Sequence, residues 1–328
     1  MIIQVKDLTK NFIYYEKAEG IKGSLKNLFH REKLVKEAVK QISFGIDQGE
    51  MIGFLGPNGA GKTTTLKMLS GILFPTSGEV TIDGYVPWER KDTFKKSISI
   101  VLGNKSQLIW DLPPLETFYL NKKIYEISDA DYRYRLAELS EMLDVQSLLK
   151  VQARRLSLGE RMKMELIAAL LHRPKILFLD EPTIGLDIVI QKKIHEFLTR
   201  YNEQHKATVL LTSHYVSDVE SLCKRSIIIN QGEIIFDGQT KNMDDRIANH
   251  KYIHITAKKD MDVQPLRVFG PVNQDAGNSC VVEVDNGKVQ AVLSRVYELF
   301  EIEDLSVENI PLEEAISAIY QNGGNQDA

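Results

Sequence analysis

The clearest chemical pattern in the chain is a glycine-rich segment that ends in a lysine and threonines. Its spacing, G-x-x-x-x-G-K-T, is typical of loops whose backbone N–H groups point toward phosphate oxygens, because glycine permits the turns that this requires. Lys62 would contact the outer phosphates, and Thr63 would hold a magnesium ion. The candidate phosphate-binding residues are Gly56, Pro57, Asn58, Gly59, Ala60, Gly61, Lys62, Thr63 and Thr64.

Two further apolar runs end in polar residues that would complete this chemistry. Residues 176–179 precede Asp180 and Glu181, and residues 208–212 end just before His214. Asp180 would supply a second oxygen to the magnesium ion, and Glu181 would take a proton from an attacking water molecule. The histidine would hydrogen-bond a phosphate oxygen or orient the water. The candidate catalytic residues are Lys62, Glu181 and His214.

These residues need a scaffold that brings three separate chain segments together. The phosphate loop follows the apolar run Met51–Leu55 and precedes a segment with helical spacing. The apolar runs suit strands that are buried on both faces, and helical stretches at Gly159–Leu171 and Val189–Tyr201 alternate with them. This order predicts an α/β domain with a mainly parallel sheet, whose ligands bind beyond the carboxyl ends of the strands.

Two regions lie outside this alternating core. Residues 115–151 carry apolar side chains at helix-like spacing, which predicts a helical insertion. Beyond Gly238 the chain is more polar, and short strand patterns surround a helical pattern at Val289–Phe300, which predicts a small α+β domain. We therefore expect a nucleotide-binding domain at residues 1–238, with a helical subdomain at about 105–160, and an accessory domain at residues 239–328.

Length and composition exclude several classes of protein. A chain of 328 residues exceeds the roughly 250 to 300 residues of a single core, which favours two domains. A hydrophobic fraction of 43% without a long uncharged apolar run argues against a membrane span. A net charge of −4 gives no field that would hold nucleic acid. Residues 1–8 lack the features of a secretion signal, and Cys223 and Cys280 are expected to be reduced structural thiols.

Taken together, residues 2–238 resemble the ATP-binding subunits of ABC transporters. The most specific element is Leu156-Ser157-Leu158-Gly159-Glu160-Arg161, which looks like the signature motif of that family. In the family this motif caps the γ-phosphate of ATP that is held by the phosphate loop of a second subunit. The resemblance therefore implies a P-loop NTPase core of ABC type, with an antiparallel edge sheet, that binds ATP and Mg²⁺ in a dimer.

The same resemblance assigns further residues to the nucleotide. Phe12 stands where the family stacks an aromatic ring on adenine, and Tyr14 and Tyr15 are alternatives. His214 would be the switch histidine, and Asp187 the D-loop residue that crosses the dimer interface. Ser157 and Gly159 would serve the partner's nucleotide, and Glu160 and Asp187 are further candidate nucleotide-binding residues.

The chain departs from the family pattern at two places. Leu158-Gly159 replaces the usual two glycines of the signature motif. Asn104 aligns with the Q-loop glutamine, and Gln107 is the alternative source of the longer amide side chain, so both are candidate magnesium contacts. Neither departure removes a catalytic carboxylate, and hydrolysis is expected.

The resemblance implies a motor subunit at the cytoplasmic face of the cell membrane, acting as a homodimer with integral membrane permeases. The tail around Glu308–Ala315 resembles that of drug- and antibiotic-export ATPases, which favours export. The basic segment Ile21–Arg31 would contact a membrane or a permease, pack on its own domain as a helix, or form a mobile loop. The alternative functions are a soluble ABC-type ATPase in translation, repair or assembly, and a small-molecule kinase that would leave the signature motif without a role.

Overall fold

The computed structural model describes residues 1–15, 33–103, 105–243 and 250–309. The chain divides into two compact units, Met1–Thr240 and Lys241–Ala328. Three sequence predictions fall outside the described residues. They concern the basic segment Ile21–Arg31, the candidate magnesium contact Asn104, and the part of the tail from Ile310 to Ala315.

The strands are numbered along the chain. In the described residues they are β1 (Ile3–Tyr15), β2 (Lys33–Ile46), β3 (Met51–Leu55), β4 (Ser77–Ile82), β5 (Ile98–Leu102), β6 (Ile176–Asp180), β7 (Thr208–Ser213), β8 (Arg225–Asn230), β9 (Glu233–Gln239), β10 (His250–Ala257), β11 (Val272–Ala276), β12 (Ser279–Asp285) and β13 (Ile302–Asn309).

The helices are numbered in the same way. They are α1 (Lys62–Leu69), α2 (Asp92–Ser97), α3 (Pro114–Ile124), α4 (Asp129–Met142), α5 (Leu158–Leu170), α6 (Ile188–His205), α7 (Val216–Leu222) and α8 (Val289–Leu299). Short 3-10 turns occupy Pro87–Glu89, Gln146–Leu148, Ala153–Arg155, Thr240–Asn242, Gln264–Leu266 and Asn286–Lys288. Within the described ranges, no helix combines the length and the apolar composition that crossing a bilayer requires.

The first unit is built on a six-stranded sheet in the order β5-β6-β7-β3-β8-β9. All its pairings are parallel except that of β9 with β8 at one edge. Every residue of β3, β6 and β7 is buried, as expected for parallel strands that are covered on both faces. The predicted α/β domain with a mainly parallel sheet is confirmed, and β3, β6 and β7 end on the same edge.

A second, antiparallel sheet in the order β2-β1-β4 packs against the first. Its apolar residues share one buried cluster with β3, β6 and helix α1. The rings of Phe44 in β2 and Phe54 in β3 lie 5.9 Å apart within this cluster. The cluster holds the start of the chain against the strand that leads into the phosphate loop.

The predicted helical insertion is confirmed as helices α3 and α4, which lie between β5 and α5. Ser128 caps α4, since its side chain accepts a hydrogen bond from the N–H of Asp131 at 3.1 Å. Phe118 and Leu139 are buried, and α3 and α4 both contact α5. The insertion therefore packs on the helix that begins at the candidate signature motif.

In the second unit, α8 packs against a sheet in the order β11-β12-β10-β13. All pairings in this sheet are antiparallel. Ile253 and Ile255 of β10 are buried with Val292 and Val296 of α8. The arrangement is the small α+β unit expected from the sequence, with β11 added as a strand that the sequence pattern did not predict.

Candidate active site

The carboxyl ends of β3 and β6 border a cleft of about 410 Å³. It brings together segments that are more than a hundred residues apart in the sequence. The described residues that line it include ten of the sequence-predicted site residues, namely Phe12, Pro57, Asn58, Gly59, Gly61, Lys62, Thr63, Thr64, Asp180 and Glu181.

The path of the phosphate loop depends on two glycines. Gly61, which directly precedes α1, has φ of 112°, and a Cβ atom there would lie 2.6 Å from the carbonyl oxygen of Ala38. A Cβ atom on Gly56 would lie 2.3 Å from the carbonyl oxygen of Ile229. Any larger residue would therefore push the loop out of place. The loop leads straight into the N-terminus of α1, where free backbone N–H groups favour an anion.

Two residues of the phosphate loop, Gly56 and Ala60, are not among the described residues that line the cleft. Ala60 is buried, and its carbonyl oxygen accepts a hydrogen bond from the N–H of Gly232 at 3.0 Å. The carbonyl oxygen of Gly56 accepts a hydrogen bond from Lys62 Nζ. The contact with Gly232 anchors the loop to the β8–β9 turn, and the contact with Lys62 joins the loop to the start of α1.

Lys62 is buried and contacts both its own loop and a carboxylate. Its Nζ donates to the carbonyl oxygens of Gly56 at 2.6 Å and Pro57 at 3.1 Å, and lies 3.4 Å from Glu181 Oε1. Burial lowers the pKa of Lys62, and the attraction of Glu181 and Asp180 opposes that shift only in part. The ammonium group is thus a concentrated positive charge with little water around it, which suits a contact to phosphate oxygens.

Asp180 forms an oxygen-rich group with two threonines. Its carboxylate accepts hydrogen bonds from Thr63 Oγ1, at 2.9 Å to each oxygen, and from Thr212 Oγ1 at 2.8 Å. Carboxylate and hydroxyl oxygens are the ligands that Mg²⁺ prefers in proteins. Thr63 and Asp180, brought together from α1 and β6, therefore fit the predicted magnesium site.

Glu181 follows directly after Asp180 but has different partners. Its φ of 51° is unusual for a residue other than glycine, and its N–H donates to the backbone and side-chain oxygens of Thr212 at 3.2 and 3.0 Å. Glu181 Oε1 lies 3.4 Å from Lys62 Nζ and 3.3 Å from His214 Nδ1. The turn between Asp180 and Glu181 thus directs the two carboxylates to different partners. Asp180 contacts two threonine hydroxyls, whereas Glu181 lies near Lys62 and His214.

The aromatic side of the cleft is formed by the β1–β2 pair. Phe12 lines the cleft and stands opposite Lys36, which also lines it. Because successive side chains of a strand point to opposite faces, Tyr14 shares the face of Phe12 and Tyr15 lies on the other. Of the two alternatives to Phe12, the strand register therefore favours Tyr14.

The candidate signature motif occupies the N-terminus of α5. Ser157 caps this helix: its hydroxyl accepts from the N–H of Glu160 at 3.2 Å, and Glu160 Oε2 accepts from the N–H of Ser157 at 2.8 Å. Gly159 packs so tightly that a Cβ atom would lie 2.8 Å from Ile190 Cγ2. Asp187 caps α6 by accepting from the N–H of Ile190 at 3.0 Å.

Gly159 is buried where α5 packs on Ile190 of α6, and Ser157 and Asp187 cap the N-termini of these two neighbouring helices. Ser157 is exposed there. Among the described residues, the lining of the cleft does not include Ser157, Gly159, Glu160 or Asp187.

Comparisons with known proteins identify the chain. Residues 39–184 match the family model described as ABC transporter. The linearmycin resistance ATP-binding protein LnrL of Bacillus subtilis is 37% identical over 221 residues, which cover 67% of this chain and 70% of that protein. The chain belongs to the ABC transporter family. A further relative, the ABC transporter ATP-binding protein NatA of the same organism, is 32% identical over 66% of this chain and 87% of its own length.

A solved ABC cassette has the same fold. The cassette MJ0796, determined as a dimer in a post-hydrolysis state with ADP and Pi, superposes with a TM-score of 0.59 and 25% identity over 73% of this chain and 98% of its own. The predicted ABC-type core is thus confirmed. This chain is an ATP-binding subunit of an ABC transporter, a family that hydrolyses ATP, and the soluble non-transport alternative is not favoured.

One candidate magnesium contact of this ABC subunit is directed elsewhere. Gln107 Nε2 donates to the carbonyl oxygen of Ile100 at 3.0 Å, and its N–H donates to the carboxylate of Glu165 in α5. Gln107 is not one of the described residues that line the cleft.

Sequence reasoning missed two residues of the ABC site. Thr212 contacts both Asp180 and Glu181, and its position follows from the parallel register in which Asp180 pairs with it. A polar residue at the end of a buried strand was a usable signal for it. Lys36 had no comparable signal, because its place opposite Phe12 depends on the register of two strands separated by a long segment.

Proposed function

We propose that this ABC subunit hydrolyses Mg-ATP in the cleft, with Glu181 as the general base and His214 beside the terminal phosphate. The observation that carries the proposal is the position of Glu181 Oε1 between Lys62 Nζ at 3.4 Å and His214 Nδ1 at 3.3 Å. A base in this place would accept a proton from water next to the phosphate that Lys62 holds.

Each of the remaining contacts has a separate task in this proposal. The backbone of the phosphate loop and Lys62 bind the phosphates, and Phe12 stacks on the adenine ring. Thr63 and Asp180 hold Mg²⁺, which neutralises charge on the outer phosphates when it is bound. His214 contacts Glu181 through Nδ1, and its other ring nitrogen would contact the terminal phosphate.

The proposal includes a second copy of the chain. Ser157 is exposed at the N-terminus of α5, where a helix favours an anion, and it lies outside the described lining of its own cleft. A head-to-tail dimer would place this serine on the γ-phosphate bound by the partner. Contacts to that phosphate are lost once it leaves as inorganic phosphate, so ATP would favour the closed dimer and ADP alone the open one.

We further propose that the dimer powers export through integral membrane permeases and works at the cytoplasmic face of the membrane. The support is the relative LnrL, whose name describes linearmycin resistance. Resistance to an antibiotic is commonly achieved by moving it out of the cell.

The direct test of the hydrolytic site is Glu181→Gln. The variant keeps the size of the side chain and removes the basic carboxylate, so we expect ATP hydrolysis to fall by about a hundredfold or more, while ATP binding is retained. Steady-state hydrolysis and nucleotide-binding assays on the purified subunit measure the two properties. Glu298→Gln, in the second unit, is the control and should hydrolyse ATP like the parent. A parental rate for Glu181→Gln would refute the assignment of the base.

A further inference from the structure

A buried carboxylate outside the cleft connects the chain segments that carry Glu181 and His214. Asp218 lies in α7 and is 4% exposed. Its Oδ2 accepts hydrogen bonds from Thr183 Oγ1 at 2.7 Å and from Ser213 Oγ at 3.1 Å. Thr183 follows Glu181 by two residues, and Ser213 directly precedes His214. One oxygen atom therefore links two segments that leave different strands, β6 and β7.

The serine in this link also orients the residue on the other side of the histidine. Ser213 Oγ accepts a hydrogen bond from the N–H of Tyr215 at 2.9 Å while it donates to Asp218. His214 is therefore flanked by two residues whose positions depend on the same hydroxyl group. The carboxylate thus acts on the conformation of the histidine segment as a whole.

The second oxygen of Asp218 faces a histidine. Oδ1 lies 3.5 Å from His195 Nε2 in α6, and His195 Nδ1 lies 3.0 Å from Ser221 Oγ. Burial raises the pKa of Asp218, but the contacts with His195, Thr183 and Ser213 outweigh it and leave the pKa below its usual value. The buried carboxylate is thus charged at neutral pH. A buried charge is costly unless its partners compensate for it, and here they include both segments that lead to the cleft.

We propose that Asp218 is a positioning residue for ATP hydrolysis, which holds Glu181 and His214 at their mutual distance by binding Thr183 and Ser213 together. The inference rests on the proposed function, since it assigns Asp218 an effect through the proposed base and its neighbour. Glu181 Oε1 and His214 Nδ1 are 3.3 Å apart, and a displacement of about 1 Å can cost about a hundredfold in rate. Asp218 has no contact with the phosphate loop among the hydrogen bonds of the described residues, so ATP binding should not depend on it.

The test compares Asp218→Asn with Asp218→Ala. The asparagine keeps one oxygen that accepts from both hydroxyls, whereas alanine removes both acceptors. We expect Asp218→Asn to retain kcat within about twofold, and Asp218→Ala to lower kcat about tenfold or more with KM for ATP unchanged. Partial unfolding would also lower the apparent kcat at unchanged KM, so each rate is expressed per molecule that binds ATP. Equal rates for the two variants, or a fall in ATP affinity that accounts for the loss, would overturn the proposal.

The two hydroxyl groups provide a second test that leaves the buried charge in place. Thr183→Val combined with Ser213→Ala should lower kcat about tenfold or more. The matched controls are Thr117→Val and Ser140→Ala, which remove buried hydroxyls from the helical insertion and should keep the parental kcat. If the double variant folds and hydrolyses ATP at the parental rate while Glu181→Gln is inactive, the inference about Asp218 fails and the proposed function stands.

A third measurement tests whether Asp218 acts through Glu181 and His214 or independently of them. In a background that carries both Glu181→Gln and His214→Ala, Asp218→Ala should lower the residual rate by less than about twofold, because residues that act through the same groups are not additive. A further tenfold loss there would show that Asp218 acts independently of both residues, which would overturn the inference. If Glu181→Gln keeps the parental rate, the proposed function itself fails and the inference fails with it.

Discussion

At the scale of single residues, the site depends on two adjacent carboxylates with separate partners. Asp180 binds the hydroxyl groups of Thr63 and Thr212, and Glu181 lies near Lys62 and His214. The left-handed backbone of Glu181, with φ of 51°, produces this division. Such a conformation costs of the order of 1 kcal/mol or more and is retained where the surrounding contacts enforce it. Here the enforcing contacts come from Thr212.

A histidine that is not among the described residues lining the cleft gives a pH prediction. His172 stacks on Tyr125 at 3.8 Å, and its Nε2 lies 3.1 Å from the carbonyl oxygen of Ile98. Burial lowers the pKa of His172 to about 4, whereas an unfolded chain takes up this proton at about pH 6.5. The unfolded state therefore binds more protons in this window, and the folded state loses stability as the pH falls from about 6.5 toward about 4.

Replacing His172 by Gln should remove part of this loss, because Gln does not titrate but still donates to Ile98. The measurement is the urea unfolding midpoint at neutral and at mildly acidic pH. We expect the decrease on acidification to be smaller in His172→Gln than in the parent. The control is His254→Gln, which changes a histidine whose side chain is 45% exposed. Its unfolding midpoint should decrease on acidification by as much as that of the parent. An identical decrease in all three proteins would contradict the assignment.

At the scale of elements, buried strands and the turns after them were predictable from the sequence. The apolar run Met51–Leu55 and its glycine-rich turn specify a buried strand and a phosphate loop with little dependence on the rest of the chain. The place of Lys36 could not be predicted, because pairing between β1 and β2 depends on register and on three irregularities within it. The strand β11 was missed because its residues are mostly polar and it is held by pairing with β12.

The capping box at the start of α5 gives Ser157 a structural task beside its proposed contact with a phosphate. Ser157→Ala should cost about 1 kcal/mol in unfolding free energy and reduce ATP hydrolysis. Ser157→Asp should restore the cap, since Asp is also a good N-cap residue, but its negative charge would repel the phosphate and hydrolysis should stay low.

The matched control for these variants is Ser128→Ala, which removes the cap of α4. It should cost a similar free energy of unfolding and leave hydrolysis per molecule unchanged. Urea unfolding and steady-state hydrolysis measure both quantities. Parental hydrolysis by Ser157→Asp would mean that Ser157 acts as a cap alone.

At the scale of the whole molecule, the account depends on one nucleotide being shared between two copies. The phosphate loop, Asp180 and Glu181 line the cleft, and the exposed Ser157 lies outside its described lining. The family resemblance predicted this separation from the signature motif. The role of the exposed Ser157 could not be derived from a single chain, because the nucleotide that it would contact is bound by the second copy.

The most direct measurement of this claim is the molar mass of Glu181→Gln by light scattering, with and without saturating Mg-ATP. We predict a single-chain mass without nucleotide and twice that mass with it, since the unhydrolysed γ-phosphate holds both copies. Adding Ser157→Asp to the same variant should abolish the doubling while ATP still binds. A single-chain mass for Glu181→Gln under saturating Mg-ATP would contradict the account.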